Sequence, residues 1–318
     1  MSQSTLREVE HEITVSAPAD TVYRYIAEVV NWPRIFPPTI HVEHLERAPG
    51  TERIRIWATA NDEAKTWTSR RTLAPEDRRI GFRQEVSTPP VAQMGGAWLF
   101  EPLDDGRTRI RLLHDYRAVD DDPAGLEWID RAVDRNSRSE LDALKRNVEA
   151  AVSADELTFD FEDSVTVRGR AKDLFDFIDR ADLWAQRLPH VAEVDLREPS
   201  PGLQSLEMRT RAKDGSTHLT KSYRVTFPHR SIAYKQVTLP GLLDLHTGRW
   251  TFAEDEATGI TTATSQHTVT LKPDAVEGVL GAGAGVADAR EYVRGALSAN
   301  SLATLGHARD HAEGAAGG

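Results

Sequence analysis

Residues 67–73 carry the side chains best suited to carbonyl chemistry. Side chains alternate across a β-strand, so Trp67, Ser69 and Arg71 share one face of this segment, and the tryptophan predicts that it is the inner face. A guanidinium drawn inward must meet a carboxylate, water or a polar ligand, because burial of an unpaired charge is costly. Arg71 is therefore a candidate donor to a developing oxyanion, and an ion pair with a structural acid is the alternative.

A second strand supplies candidate proton carriers. His114 and Tyr116 follow Ile110 and Leu112 in strict alternation, which places them on one inner face. An imidazole and a phenol are groups that exchange protons during catalysis. A histidine that is only hydrogen-bonded within its strand is the alternative for His114. The sequence thus predicts four catalytic residues: Arg71, Ser69, His114 and Tyr116.

Apolar residues near these groups predict a pocket. Met94 and Trp98 share the inner face of another alternating run, and Gln84 shares the inner face of a third run with Ile80 and Phe82. For the tryptophans, packing in the core is the alternative to contact with a ligand. Apolar walls with a few polar groups are typical of a small-molecule site.

The elements that position these side chains occur twice. The sequence matches itself at an offset of 152 residues, which places Trp32 on Trp184 and Trp98 on Trp250. In each copy a short strand and helices precede a meander of alternating runs, and a long helical segment follows. A curved antiparallel sheet around that helix would bury its apolar stripe. We predict an α+β fold with two domains: residues 1–152 and residues 153–318.

The second copy keeps this scaffold with a changed lining. At the same offset, the serine and arginine of residues 67–73 become Lys221 and Tyr223. The histidine of the first copy becomes His267 if the turn at residues 255–259 holds one extra residue. We therefore predict that the first pocket is the better candidate for chemistry. The predicted residues of the second pocket are Trp184, Lys221, Tyr223, Gln236, Trp250 and His267.

Composition excludes several classes of function. The chain of 318 residues has no cysteine, which excludes disulfides, thiolate metal sites and cysteine nucleophiles. Its formal net charge of -11 argues against nucleic acid as the main partner. No apolar run is long enough for a membrane span and no signal peptide is evident, so we expect a cytoplasmic protein. No motif predicts a metal ion or a cofactor.

Three short motifs carry a family resemblance. Trp32-Pro33-x-x-Phe36, Trp67-x-Ser69-x-Arg71 and Met94-x-x-x-Trp98 resemble elements of the aromatase/cyclases of bacterial type II polyketide synthases. These proteins belong to the helix-grip, or START-like, superfamily. One branch of the family has two fused copies, and the length and repeat of this chain are similar to that branch. The resemblance implies two tandem helix-grip domains, each an aromatase/cyclase domain with an internal pocket.

The resemblance also implies a reaction and its partners. The family binds a poly-β-ketone that is tethered by phosphopantetheine to an acyl carrier protein, and it acts with the other components of the synthase. It directs the first aldol cyclisation, here between carbons 7 and 12 of a ketoreduced chain, and the dehydration that makes the ring aromatic. Together with the strand faces, it implies these substrate-binding residues: Trp32, Phe36, Trp67, Gln84, Met94 and Trp98.

One departure and two alternatives remain open. Single-domain relatives carry a pocket tyrosine where this sequence has Thr39, so Tyr116 or His114 is the candidate for its proton transfer. The first alternative is a non-catalytic carrier or sensor of a hydrophobic small molecule, which the superfamily also includes. The second is that only one pocket is active and the other copy serves docking or structure. The sequence makes no prediction of the oligomeric state.

Overall fold

The computed structural model describes residues 6–61, 63–153, 157–211 and 217–316, and the chain divides into two compact units. The units are Met1–Asp155 and Glu156–Gly318, a division three residues beyond the boundary predicted from the sequence. Each unit contains one seven-stranded antiparallel sheet with helices, which confirms the predicted α+β class. In the described part of the chain, no helix is long and apolar enough to cross a membrane.

The first unit is one sheet closed by one long helix. Its strand order is β1-β7-β6-β5-β4-β3-β2, so every neighbouring pair but one is joined by a hairpin. The strands are β1 (Arg7–Val15), β2 (Thr39–Ala48), β3 (Thr51–Ala60), β4 (Glu63–Ala74), β5 (Arg79–Val86), β6 (Val91–Pro102) and β7 (Thr108–Ala118). The helices are α1 (Ala19–Ala27), α2 (Trp32–Ile35) and α3 (Pro123–Ser153).

Helix α3 is held on the sheet by the apolar stripe that the sequence predicts. Asp122 precedes the helix and its carboxylate accepts a hydrogen bond from the backbone N–H of Gly125 at 2.7 Å, which satisfies one of the free donors of the first turn. Leu141, Leu144 and Val148 recur at three- and four-residue spacing and are buried in the main core of the unit. The helix therefore closes the concave side of the sheet.

The second unit repeats this order of elements. Its sheet runs β8-β14-β13-β12-β11-β10-β9. The strands are β8 (Thr158–Arg168), β9 (Val191–Ser200), β10 (Leu203–Arg211), β11 (Thr217–Phe227), β12 (Ser231–Thr238), β13 (Leu243–Asp255) and β14 (Ile260–Leu271). The helices are α4 (Ala171–Asp179), α5 (Trp184–Arg187), α6 (Val276–Leu280) and α7 (Val286–Ala316).

The strand pairing shows which residues of β11 are the counterparts of the residues of β4, and it differs from the sequence prediction by one residue. Ser69 lies opposite Gln84 in the first sheet, and Ser222 lies opposite Gln236 in the second. Counted between equivalent paired residues, the β10–β11 hairpin is one residue longer than the β3–β4 hairpin, and the β11–β12 hairpin is one residue shorter than the β4–β5 hairpin. The two changes cancel, so the offset of 152 holds on either side of β11 but is 153 within it.

The correction changes the comparison between the copies. Ser222 and Arg224 are the counterparts of Ser69 and Arg71, so both residue types are repeated. The assignment of Lys221 and Tyr223 to these positions was wrong, because a one-residue shift moves each side chain to the opposite face of its strand. The assignment of His267 is confirmed, since it pairs with Gly248 as His114 pairs with Gly96.

Candidate active sites

Each unit encloses a cavity between its sheet and its long helix. The first has a volume of about 140 Å³ and the second about 120 Å³. Five residues predicted from the sequence line the first cavity: Trp32, Trp67, Gln84, Met94 and His114. Four residues predicted for the second pocket line the second cavity: Trp184, Gln236, Trp250 and His267.

Arg71 lies behind the wall of the first cavity. It is 1% exposed, and its Nη1 donates to Glu52 Oε1 at 2.5 Å. Its Nη2 donates to the backbone carbonyl of Ile26 at 2.7 Å, and the guanidinium lies 5.0 Å from the ring centre of Trp32. Arg71 therefore forms an ion pair with a structural acid, which is the alternative to a role as oxyanion donor. Through its contact with Trp32 it supports the cavity wall that a ligand would touch.

Ser69 and Tyr116 are also engaged away from the first cavity. The Ser69 hydroxyl donates to the backbone carbonyl of Arg83 at 3.1 Å. The Tyr116 hydroxyl donates to Asp130 of helix α3 at 2.6 Å, and burial raises its pKa above the ordinary value. Neither residue is among those that line the cavity. This placement does not support the direct proton transfer predicted for them.

Phe36 and Trp98 belong to the core rather than to the cavity wall. Both are buried in the main apolar cluster of the first unit, with their rings stacked at a centroid distance of 6.1 Å. Neither lines the cavity. The core alternative therefore holds for Trp98, whereas Trp32 and Trp67 form part of the wall.

His114 is the titratable group that the sequence correctly places in the first cavity. Its ring lies 5.4 Å from that of Phe82, edge to face. Burial lowers its pKa to about 4, so the imidazole is neutral near pH 7. Its Nδ1 is buried and has no hydrogen-bond partner among the residues that the structure describes. A neutral imidazole in an apolar cavity is able to accept a proton from carbon.

Helix α3 contributes cavity residues that the sequence analysis did not identify. Its lining face includes Trp128, Asn136, Ser137 and Glu140. Lys65, on β4, also lines the cavity, and its ammonium lies 5.5 Å from the ring centre of Trp128. Ser137 was the sequence signal that could have identified this face, because it is a polar residue within the apolar stripe of α3. Its side chain is buried, with 1% of the residue exposed.

The second cavity contains an arginine that is only partly satisfied. Arg224 repeats two contacts of Arg71: its Nη2 donates to the carbonyl of Ile178 at 2.7 Å, and its guanidinium lies 5.4 Å from the ring centre of Trp184. The counterpart of the acid Glu52 is Gln204, so the direct ion pair is missing. Within the described residues, Arg224 Nη1 is buried without a hydrogen-bond partner, and Arg224 lines the cavity.

A connected polar network lies on the sheet wall of the second cavity. His246 Nδ1 lies 2.9 Å from Gln236 Oε1, and His246 Nε2 lies 2.9 Å from His267 Nδ1. His267 Nε2 lies 2.8 Å from the hydroxyl oxygen of Ser301, on helix α7. The Tyr234 hydroxyl lies 2.9 Å from His267 Nδ1. Burial lowers the pKa of His246 to about 3 and that of His267 to about 4, so both are neutral near pH 7.

Gly248 explains how Tyr234 and His267 meet. Tyr234 pairs with Gly248 on one side, and His267 pairs with Gly248 on the other. A Cβ atom at Gly248 would lie 2.4 Å from the hydroxyl oxygen of Tyr234, which is too close for any side chain. Tyr234 and His246 were not predicted from the sequence, although the change from Phe82 to Tyr234 and from Met94 to His246 at an offset of 152 was an available signal.

Lys221 and Tyr223 do not line the second cavity. Lys221 forms an ion pair with Glu207 at 3.0 Å, and Tyr223 is buried on the same face of β11. The prediction that they belong to the second pocket was wrong, because the one-residue shift in strand register places Ser222 and Arg224, not Lys221 and Tyr223, at the positions of Ser69 and Arg71. In the described part of the chain, no group of three or more His, Cys, Asp or Glu side chains is arranged to hold a metal ion.

The known sequences that this chain resembles agree with one another in their described function. A family model described as polyketide cyclase/dehydrase and lipid transport matches residues 7–149. The chain is 54% identical to the granaticin polyketide synthase bifunctional cyclase/dehydratase of Streptomyces virginiae, over 94% of this chain and 98% of the relative. It is 47% identical to the actinorhodin polyketide synthase bifunctional cyclase/dehydratase of Streptomyces coelicolor, over 97% of this chain and 98% of the relative.

Comparison with solved structures supports the two-domain fold. The crystal structure of the di-domain ARO/CYC BexL, from the BE-7585A biosynthetic pathway, aligns with a TM-score of 0.86 at 66% identity, over 96% of this chain and 99% of that chain. The di-domain ARO/CYC StfQ, from the steffimycin biosynthetic pathway, also aligns with a TM-score of 0.86, at 35% identity over 98% and 100% of the two chains. The predicted pair of tandem helix-grip domains is confirmed.

Proposed function

Because the chain belongs to the family of polyketide synthase bifunctional cyclase/dehydratases, we propose that it closes the first ring of a poly-β-ketone by an aldol reaction and then removes water from that ring. The proposed substrate is a chain ketoreduced at one carbon, with closure between carbons 7 and 12. It arrives tethered by phosphopantetheine to an acyl carrier protein of the same synthase.

The observation that carries this proposal is the neutral imidazole of His114 in an aromatic cavity. A carbon between two carbonyls is acidic, and in this proposal His114 takes its proton. The resulting enolate carbon attacks a second carbonyl, whose oxygen becomes an alkoxide and accepts a proton. The amide N–H groups of Gln84, on the same wall, are donors for that oxygen.

The walls of the first cavity support regiochemical control. Trp32, Trp67 and Trp128 present flat apolar surfaces to the chain. Such surfaces favour one folded arrangement, and the exclusion of water suppresses competing aldol reactions. Arg71 contributes by supporting Trp32 from behind, through the cation–π contact at 5.0 Å. In this proposal it is a positioning residue.

The test is product analysis in a reconstituted system. A minimal synthase and a ketoreductase are assayed with and without the full chain, and products are separated and identified by mass spectrometry. We expect the protein to convert a mixture of spontaneous cyclisation products into one aromatic product. An identical product mixture with and without the protein would refute the proposed function.

A further inference from the structure

We propose that the second cavity is a separate catalytic site, which eliminates water from a cyclic β-hydroxy ketone. The inference rests on the proposed function, since the first ring closure supplies this compound. The site consists of Arg224, Tyr234, His246 and His267, all of which line the cavity. The counterpart residues in the first unit are Arg71, Phe82, Met94 and His114. Of these four, His114 is the one that both lines the first cavity and can carry a proton.

The hydrogen-bond network fixes the proton on each ring. Gln236 presents Oε1, which only accepts, so His246 carries its proton on Nδ1 and has a lone pair on Nε2. That lone pair faces His267 Nδ1 at 2.9 Å, so His267 carries its proton on Nδ1. Its Nε2 then accepts from Ser301 at 2.8 Å. The network therefore has one direction, from Ser301 through both imidazoles to Gln236.

Tyr234 gives this network an acid. Its hydroxyl oxygen lies 2.9 Å from His267 Nδ1 and 3.4 Å from His246 Nε2. When the Tyr234 oxygen accepts the His267 proton, its own O–H is available to the cavity. Because His267 Nδ1 then no longer donates to His246, the lone pair of His246 Nε2 is free, and this nitrogen becomes the base. Acid and base thus lie next to each other and are linked through His267.

Arg224 gives the site its anion donor. The protein supplies its Nη2 with a carbonyl partner but leaves the buried Nη1 without one among the described residues. Gln204, which stands where the first copy has Glu52, also has a buried Oε1 without a partner among the described residues, so the two unpaired atoms are the counterparts of the Arg71–Glu52 contact. Arg224 lines the cavity, so its positive charge can stabilise the oxygen of a ketone as it becomes an enolate.

The reaction balances with these groups alone. His246 Nε2 takes the proton from the carbon next to the ketone, and the electron pair of that C–H bond forms an enolate whose oxygen faces Arg224. The electrons return to form the C=C bond as the C–O bond breaks, and Tyr234 protonates the leaving hydroxyl to give water. His267 returns a proton from Nδ1 to Tyr234, and His246 returns the abstracted proton to His267 across 2.9 Å.

The first copy offers substitutions that test this site. Phe82 and Met94 occupy the counterpart positions of Tyr234 and His246, so Tyr234→Phe and His246→Met place side chains that the same scaffold accepts. Each variant is assayed as the full chain with the minimal synthase and ketoreductase. Thermal unfolding confirms that each variant is folded. The matched control in the other cavity is His114→Phe.

The expected result is a separation of the two steps. Tyr234→Phe and His246→Met should retain ring closure and raise the ratio of hydrated to dehydrated product by at least about tenfold, in line with the loss of a proton carrier. His114→Phe should instead lower ring closure. An unchanged product ratio in both second-cavity variants would overturn the inference and leave the proposed function intact. Loss of ring closure in these folded variants would also overturn it, whereas failure of the wild-type protein to direct closure would refute the proposed function itself.

Discussion

The Nε2 atom of His246 and the Nδ1 atom of His267 lie 2.9 Å apart on neighbouring strands. Both imidazoles are neutral near pH 7, because burial lowers the pKa of each well below its ordinary value. A single proton is therefore shared along this line, and each ring accepts on one nitrogen while it donates on the other. The counterpart pair in the first unit is Met94 and His114, where no such exchange is possible.

The first prediction concerns the pH dependence of stability. In the unfolded chain a histidine titrates near ~6.5, whereas the folded pKa values are about 3 for His246 and about 4 for His267. The unfolded state thus binds more protons below pH ~6.5, so the stability contributed by the neutral pair is complete above that pH and is lost as the pH falls toward about 4. His246→Met removes one titrating group, so its thermal midpoint should fall less steeply with decreasing pH.

The measurement is thermal unfolding of the wild type and His246→Met across this pH range. The charged and titratable groups around the pair are His190, Arg224 and Tyr234 in the cavity, and Asp163, whose charge opposes the lowering of the His267 pKa. Lys221→Gln is the control, because Lys221 lies outside the cavity, and it should keep the wild-type slope. Equal slopes in the wild type and His246→Met would contradict the prediction.

The second prediction compares the two buried arginines. Arg71→Met leaves the buried carboxylate of Glu52 without its closest cationic partner, and loss of one member of a buried pair costs about 3–5 kcal/mol. Arg224 has no directly bonded carboxylate among the described residues, so its loss leaves no carboxylate without a bonded partner, and its buried Nη1 is already unpaired. Arg224→Met should therefore lower the free energy of unfolding much less.

Urea denaturation of both variants provides the measurement. The double variant Arg71→Met with Glu52→Gln should recover part of the loss, because it removes the unpaired carboxylate as well. Equal destabilisation by Arg71→Met and Arg224→Met would show that the ion pair at 2.5 Å is not what distinguishes the two sites.

The fold was predictable because the signals for it are local and repeated. Alternation placed His114 on an inner face, and the repeated tryptophans at positions 32 and 184 marked both cavity walls. The register of β11 was not predictable, since two compensating one-residue changes in hairpin length leave no net gap in the sequence. A comparison at constant offset therefore assigned Lys221 where the structure has Ser222.

The site was predicted less well because burial alone does not identify a ligand contact. Arg71 and Tyr116 point inward as expected, but each meets an acid, Glu52 or Asp130, that is distant in sequence. Such pairings depend on tertiary packing, which alternation does not report. The network around His246 was missed for a related reason, since it requires residues of three strands and a helix to meet.

The third prediction tests the structural role of Tyr116. Its hydroxyl donates to Asp130 at 2.6 Å and ties β7 to helix α3. Tyr116→Phe removes this charged hydrogen bond and should lower the free energy of unfolding by about 1–3 kcal/mol. The products of the reconstituted synthase should stay unchanged, because Tyr116 does not line the cavity. A folded variant that loses ring closure would restore the catalytic role predicted from the sequence.

The last prediction addresses His114 as the base of ring closure. His114→Phe keeps an aromatic ring against Phe82 but removes the nitrogen that accepts a proton, so directed ring closure should fall by about 10²-fold or more. His114→Asn provides a second variant, since it restores a polar side chain without the basicity of imidazole and should not rescue activity. The rate of appearance of the aromatic product, measured at equal protein concentration, gives the comparison. Wild-type rates in both folded variants would move the base of ring closure to another group of the first cavity, of which Glu140 on helix α3 is the next carboxylate on the wall.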